Sequence, residues 1–195
     1  MFNAERSLHA DLTVIKLEGW TRDLWFDQTG LPWINPSPNM RTLAGATLYP
    51  GVGLHETALS VGRGAGTPFE MIGAPYIDDV RLAAELNRAG LAGVGFIPIR
   101  FTPTYGTFKD QACGGAMMIV TQRDRLQSVD VGIAIAQTLQ RLYPKDFALT
   151  KVNRLLQDPQ TIAAISAGKS LTEIKQGWTA ELDAFKKRRA QYLLY

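Results

Sequence analysis

The strongest constraint on the fold is the irregular order in which short apolar strands and amphipathic helices follow one another. Two apolar strands are predicted at "GVGFIPIRF" (residues 93–101) and "GGAMMIV" (114–120), separated by the loop "TPTYGTFKDQAC". A helix is predicted from Ser128 to the stop at Pro144, because apolar residues recur there at helical spacing. Three to four such helices with short mixed strands indicate a single domain of the α+β or mixed α/β class, not a regular βαβ repeat.

Capping residues predict where several helices begin. Asp78 is suited to cap a helix that runs through Arg88 and ends at Gly90. The pair Asp158–Pro159 indicates the start of a short helix that ends near Gly168. The run "SLTE" (170–173) has the form of a capping box and precedes a long C-terminal helix. The apolar face of that helix would consist of Ile174, Trp178, Leu182 and Phe185.

The N-terminal quarter of the chain has weaker periodicity. "DLTVIKL" (11–17) is rich in β-branched residues and predicts a strand. Residues 18–40 contain three tryptophans and three prolines without a usable period, which indicates a long irregular segment of the functional-loop kind. "RTLAGATLY" (41–49) predicts a short helix closed by Pro50–Gly51, and "PFEMIGAPYI" (68–77) predicts a short strand and a turn.

Composition excludes several classes of partner. The 21 basic and 18 acidic residues give a net charge of +3, which is too small to indicate nucleic-acid binding. No stretch reaches the length of about 18 apolar residues that a membrane span needs, and the N-terminus lacks the pattern of a signal peptide. We therefore expect no nucleic-acid partner and no membrane partner.

Motifs for cofactors and metals are incomplete. In "SVGRGAGTPFE" (60–70) the positions that a phosphate-binding loop would fill with Gly, Lys and Ser or Thr hold Thr67, Pro68 and Phe69. His55–Glu56 begins like the zinc motif HExxH, but its closing position is Leu59. We expect no cofactor and no metal, and we interpret His55 as a packed loop residue.

Polar residues that could hold a ligand lie among the aromatic residues of the first half. Aromatic rings with carboxylates and amides are typical of sugar sites, because the apolar face of a sugar stacks and its hydroxyl groups form hydrogen bonds. The same composition suits a protein–protein surface, and each tryptophan could simply pack in the core. The candidate binding residues are Asn39, Glu56, Ser60, Arg63, Glu70 and Arg100.

Several phrases, in order and spacing, resemble the NamZ-type exo-β-N-acetylmuramidases, long catalogued as a bacterial domain of unknown function. The phrases are "GLPWINPSPNMRT", "YPGVGLHET", "SVGRGAGTPFEMIGAPYID", "GVGFIPIRFTP", "CGGAMMIVTQRD" and "FKKRRAQYLLY". The resemblance implies a glycoside hydrolase of cell-wall recycling that removes N-acetylmuramic acid from the non-reducing end of peptidoglycan. It also implies an N-terminal Rossmann-like domain, a C-terminal domain and a substrate cleft between them.

The resemblance covers the C-terminal portion of that design. It implies that residues 1–34 end the Rossmann-like domain and its linker, and that residues 35–195 form the substrate-cleft domain. The glutamate believed to be catalytic in the family would lie in the missing N-terminal half, so no residue of this chain is assigned a catalytic role. The missing domain, or self-association in its place, is an expected partner. Full-length members are expected to be periplasmic or secreted. The alternative is a non-catalytic module that binds cell-wall sugars or another protein.

Departures from the family pattern limit which substrate contacts of the family can be assigned to residues of this chain. "ETALS" (56–60) is one residue shorter than the family run, Ala65 stands where the family commonly has Thr, and Tyr76 replaces a Trp. Substrate contacts at these positions are therefore not inherited.

Arg63 lies between Gly62 and Gly64, and small neighbours allow a tight turn that projects its side chain. The resemblance implies a muramic-acid-containing sugar as ligand, and the lactyl carboxylate of that sugar suits bidentate capture by a guanidinium. The sequence leaves a second interpretation open, in which Arg63 pairs with Glu56 or Glu70 and only fixes its loop.

Overall fold

The computed structural model describes residues 1–195. The chain divides into two compact units, one formed by Met1–Pro32 with Lys175–Tyr195 and the other by Trp33–Ile174. None of the helices has the length and hydropathy of a membrane span.

The larger unit is built on a three-stranded antiparallel sheet. Its strands are β1 (Met71–Ala74), β2 (Val94–Phe101) and β3 (Cys113–Val120), in the order β1-β3-β2. Glycine allows close pairing at the centre, because a Cβ on Gly115 would lie 1.8 Å from the carbonyl oxygen of Ile72. All three strands were expected from the sequence, and their antiparallel pairing identifies the class as α+β.

Helices complete the larger unit and begin mostly at residues whose side chains cap them. The Asp78 carboxylate accepts a hydrogen bond from the Arg81 amide, and Asp158 accepts from the amides of Gln160 and Thr161. The helices are α2 (Leu43–Val52), α3 (Asp79–Arg88), α4 (Ser128–Leu142), α5 (Leu149–Leu156), α6 (Pro159–Ser166) and the start of α7 (Leu171–Ala190). The capping box between Ser170 and Glu173 is present.

Helices α2 and α4 cross at two glycines. A Cβ on Gly51 would lie 1.7 Å from the Ser128 carbonyl oxygen, and one on Gly132 would lie 2.5 Å from the Gly51 carbonyl oxygen. The Ser128 hydroxyl accepts a hydrogen bond from the Gly51 amide and donates to the Leu48 carbonyl. Helix α2 thus continues through Pro50 to Val52, whereas the sequence predicted that it would end there, and these bonds hold its last turn against α4.

The turn that follows α2 places His55 inside the core. Its side chain has no exposed surface, and its Nε2 donates to the Gly132 carbonyl oxygen at 2.8 Å. Burial lowers the pKa of His55 from 6.5 to about 4. His55 is therefore neutral when the protein is folded, and its interpretation as a packed residue is confirmed.

The buried His55 predicts a loss of stability in mild acid. The folded-state pKa lies below the unfolded-state value, so the unfolded chain binds the proton first, and the free energy of unfolding should fall as pH decreases from 6.5 to 4. The slope should approach about 1.4 kcal/mol per pH unit. Denaturant unfolding at a series of pH values measures it. The variant His55→Gln should lose this slope, and the variant His9→Gln, at an exposed histidine, should keep it.

The smaller unit contains α1 (Phe2–Glu5), a 3₁₀ turn at Phe26–Thr29 and most of α7. The C-terminal Tyr195 contacts the segment that contains Leu17 and Trp20. Its hydroxyl accepts a hydrogen bond from the Leu17 amide at 2.5 Å, and its ring packs edge-on against Trp20. The strand predicted at residues 11–17 is wrong: this segment is not paired in any sheet. Its apolar side chains are largely exposed, as Ile15 is 91% exposed and Leu12 65%.

The α+β class is confirmed. The irregular segment expected at residues 18–40 is also present, interrupted only by the short 3₁₀ turn. Helices α1 and α5 are the two of the seven helices that the sequence did not locate, and the total exceeds the three to four that it predicted. α5 was missed because its eight residues supply too few turns for a clear period.

Candidate functional site

The candidate site is a cavity of about 350 Å³ on the larger unit. It lies where the turn after α2, the segment leading to β1, the loop after β2 and α5 approach one another. Its lining residues are Glu56, Thr57, Leu59, Ser60, Val61, Arg63, Gly106, Thr107 and Arg154.

Two left-handed glycines shape the loop that carries Arg63. Gly62 has φ +77° and Gly64 has φ +76°, a region that residues with a Cβ rarely adopt. A Cβ on Gly64 would also lie 2.6 Å from the Tyr105 amide nitrogen. The Thr104 hydroxyl donates to the Gly64 carbonyl at 3.0 Å, which ties this loop to the loop after β2. The tight turn expected around Arg63 is thus confirmed.

Arg63 is held at one edge of its guanidinium. Its Nε lies 2.7 Å from Glu56 Oε1, as an ion pair without hydrogen-bond geometry, and the guanidinium carbon lies 5.1 Å from the centre of the Phe69 ring. The side chains of Arg63 and Glu56 are 26% and 32% exposed, so solvent screens the pair only in part. The terminal nitrogens of Arg63 form no hydrogen bond with the protein, which leaves two parallel donors for a ligand.

Ser60 is one of the buried residues that line the cavity. Its amide donates to the Gly73 carbonyl and its carbonyl accepts from the Gly73 amide, both at 2.9 Å, so the backbone joins the edge of β1. The residue is only 3% exposed, and its hydroxyl has no hydrogen-bond partner in the protein. A buried hydroxyl without a partner costs free energy, and a polar ligand in the cavity would remove that cost.

Three other candidate residues lie outside the cavity. The Asn39 side chain accepts a hydrogen bond from the Tyr105 hydroxyl, and the Glu70 carboxylate accepts one from the Thr42 hydroxyl. Asn39 therefore supports the loop after β2 from outside, and Glu70 holds the hydroxyl of Thr42, the residue that caps the start of α2. Since Glu70 is occupied in this way, Glu56 is the carboxylate that pairs with Arg63.

Arg100 is committed to a separate ion pair. Its Nε and Nη2 each donate to a different oxygen of Asp79 at 3.1 Å, and this bidentate contact lowers the pKa of the Asp79 carboxyl. Arg100 lines a second cavity of about 400 Å³ together with the buried Cys113. The structure thus brings together Glu56, Ser60 and Arg63, and separates them from Asn39, Glu70 and Arg100.

Sequence analysis missed Arg154, which lines the cavity from α5. The Thr57 hydroxyl donates to the Lys151 carbonyl at 2.9 Å and fastens α5 to the turn after α2. Arg154 lies one turn further along the same helix. No local pattern marks this residue, because its relation to Glu56 is created by the packing of α5.

The chemistry available in this cavity is that of binding. Glu56 is the single carboxylate among the lining residues, whereas glycoside hydrolysis ordinarily uses two. Two guanidinium groups and one carboxylate leave a net positive charge, and the Ser60 hydroxyl adds a neutral donor. The chain contains no cluster of three or more His, Cys, Asp or Glu side chains that could hold a metal ion. The arrangement suits an anionic, hydroxyl-bearing ligand. None of the tryptophans lines this cavity.

Similar solved structures support the fold. A DUF1343 family protein from Bacteroides fragilis NCTC 9343 is 26% identical with a TM-score of 0.75, over 100% of this chain and 54% of that one. A second DUF1343 family protein from the same organism has a TM-score of 0.58 over 83% of this chain and 43% of that one. It is 24% identical, so this likeness concerns the fold alone.

Sequence relatives match the entire chain. The family described as "Exo-beta-N-acetylmuramidase NamZ, C-terminal" matches residues 47–195, and its N-terminal counterpart matches residues 1–44. The peptidoglycan beta-N-acetylmuramidase NamZ of Bacillus subtilis (strain 168) is 39% identical over 199 residues. The match takes in all of this chain and 48% of that protein, so the chain spans about half the length of the curated relative it matches. Together these matches show that the chain belongs to the NamZ exo-β-N-acetylmuramidase family.

Proposed function

We propose that this chain supplies the substrate-binding side of a peptidoglycan exo-β-N-acetylmuramidase-like glycoside hydrolase, and that its 350 Å³ cavity binds a muramic-acid-containing sugar. Its relative from B. subtilis is a peptidoglycan beta-N-acetylmuramidase, which supports this class of ligand. The observation that carries the proposal is the position of Arg63, whose terminal nitrogens have no partner at a cavity of net positive charge.

The lactyl carboxylate is the group that distinguishes muramic acid from N-acetylglucosamine. A guanidinium whose two terminal nitrogens are both available can grip such a carboxylate with two parallel hydrogen bonds. Glu56 and Phe69 hold the other side of Arg63, so its orientation is set before the ligand arrives. The sequence left open whether Arg63 binds the lactyl carboxylate or pairs with a glutamate to fix its loop, and these two interpretations are therefore compatible. The pair with Glu56 fixes the orientation of Arg63, and the terminal nitrogens bind the ligand.

The same proposal gives residues 1–34 a role as the end of the Rossmann-like domain. The segment 8–17 supports this role, because its apolar side chains are largely exposed. Exposed apolar residues of this kind are typical of a surface that another domain or a second copy of the chain covers, and the N-terminal family match includes this segment. The Rossmann-like domain and self-association are therefore the two partners proposed for this segment.

Titration with two sugars tests the proposed function. The chain should bind N-acetylmuramic acid roughly 10- to 100-fold more tightly than N-acetylglucosamine, because one additional charge-assisted contact of about 1.5–3 kcal/mol forms. Calorimetry, or NMR for weak binding, measures both affinities. The methyl ester of N-acetylmuramic acid is the control ligand, since it keeps the lactyl group without its charge and should bind like N-acetylglucosamine. Equal binding of all three sugars would contradict the proposal.

A further inference from the structure

We infer that Arg154 and Ser60 complete the carboxylate site of Arg63, and that Arg154 is a second anion-binding residue which sets the preference for a charged ligand. This inference rests on the proposed function and deepens it, because it names residues that would read the same carboxylate.

Arg63 alone gives the cavity little net charge. Its Nε is 2.7 Å from Glu56 Oε1, so one positive and one negative charge largely cancel at that edge. Arg154 is then the charge that makes the cavity positive. Its guanidinium has no ion-pair or hydrogen-bond partner in the protein, in contrast to Arg88, Arg100, Arg141 and Arg188, which all pair with carboxylates.

The position of Arg154 is fixed by the fold. Val152 of α5 is fully buried, and the Thr57 hydroxyl holds the Lys151 carbonyl at 2.9 Å. These contacts anchor α5 in the turn that precedes Arg154. A long side chain on an anchored helix samples a limited volume, and here that volume includes the cavity.

Ser60 is the second and independent observation that points to a ligand. Its hydroxyl is buried without a partner in a residue that lines the cavity, although nearly all buried polar groups in proteins have a partner. A carboxylate oxygen held between the two guanidinium groups would accept a hydrogen bond from this hydroxyl. The site would then offer two charged donors and one neutral donor to the two oxygens of one carboxylate.

Two variants of the chain test this inference. Arg154→Gln should weaken binding of N-acetylmuramic acid about 3- to 10-fold, less than a buried charge would, because Arg154 is exposed to solvent. Ser60→Ala should weaken it about 3-fold. Binding of N-acetylglucosamine should be unchanged in both. Lys151→Gln is the matched control, because it removes one positive charge from the same helix at a residue that does not line the cavity.

D-Lactate serves as a second probe that separates the two proposals. Loss of D-lactate binding in Arg154→Gln, without any preference of the unmodified chain for muramic acid, would support the anion site and overturn the proposed function. Muramic acid binding that is equal in Arg154→Gln, Lys151→Gln and the unmodified chain would overturn the inference and leave the proposed function in place. Failure of the unmodified chain to bind either probe would overturn both.

Discussion

Replacing Gly51 with alanine is expected to lower the free energy of unfolding by about 4 kcal/mol, above the usual range for overpacked side chains. The added methyl group would lie 1.7 Å from the Ser128 carbonyl oxygen and 3.0 Å from the Gly132 amide nitrogen. Both neighbours are backbone atoms of α4, so no rotamer change can relieve the overlap and the two helices must separate. Denaturant unfolding followed by circular dichroism measures the loss.

The separation of α2 from α4 in this variant should also displace residues of the candidate site. Residues 53–57 follow α2 directly, and they include Glu56, which braces Arg63, and Thr57, which holds α5. Gly177→Ala is the matched control, because Gly177 lies inside α7 with no atom within 4 Å of an added Cβ. That change should stabilise the chain by about 1 kcal/mol. A Gly51→Ala variant as stable as the unmodified chain would show that α2 and α4 do not pack as closely as described.

Local signals predicted the elements that local contacts maintain. Asp78, Asp158 and Ser170 accept hydrogen bonds from amides two or three residues ahead, so each cap was predictable from a short window of sequence. The segment 11–17 has the composition of a strand, but a strand needs a paired neighbour and this segment has none. The end of α2 was predicted too early, and the last turn of this helix packs against Ser128, 77 residues beyond Gly51, at a distance that no local pattern covers.

The candidate site likewise combines residues that are close in the sequence with a residue that only the packing of the chain brings there. Glu56, Ser60 and Arg63 lie within eight residues of one another and line one cavity, so a short window of sequence contains all three. Arg154 reaches that cavity from α5, about ninety residues later, through packing that no window of sequence reveals. Arg100 was grouped with the candidate binding residues, whereas the packing of α3 against β2 provides Asp79 as its partner.

The substitution Arg63→Lys tests the use of the terminal nitrogens most directly. Lysine keeps the positive charge beside Glu56 but loses the planar pair of donors. Binding of N-acetylmuramic acid should weaken roughly 10- to 100-fold, which corresponds to a charge-assisted contact of about 1.5–3 kcal/mol. Binding of N-acetylglucosamine, which has no carboxylate, should hardly change. Calorimetric titration with both sugars provides the comparison.

A purely structural role for Arg63 predicts a different pattern. If the pair with Glu56 only fixed the loop, Arg63→Lys would lower the melting temperature and weaken both sugars alike. Arg100→Lys separates the two cases, because Arg100 makes its own two-pronged contact with Asp79 outside the cavity. That variant should change stability while the affinities for both sugars stay as they are. Equal loss for both sugars in Arg63→Lys, or no loss for either, would rule out Arg63 as the residue that reads the carboxylate.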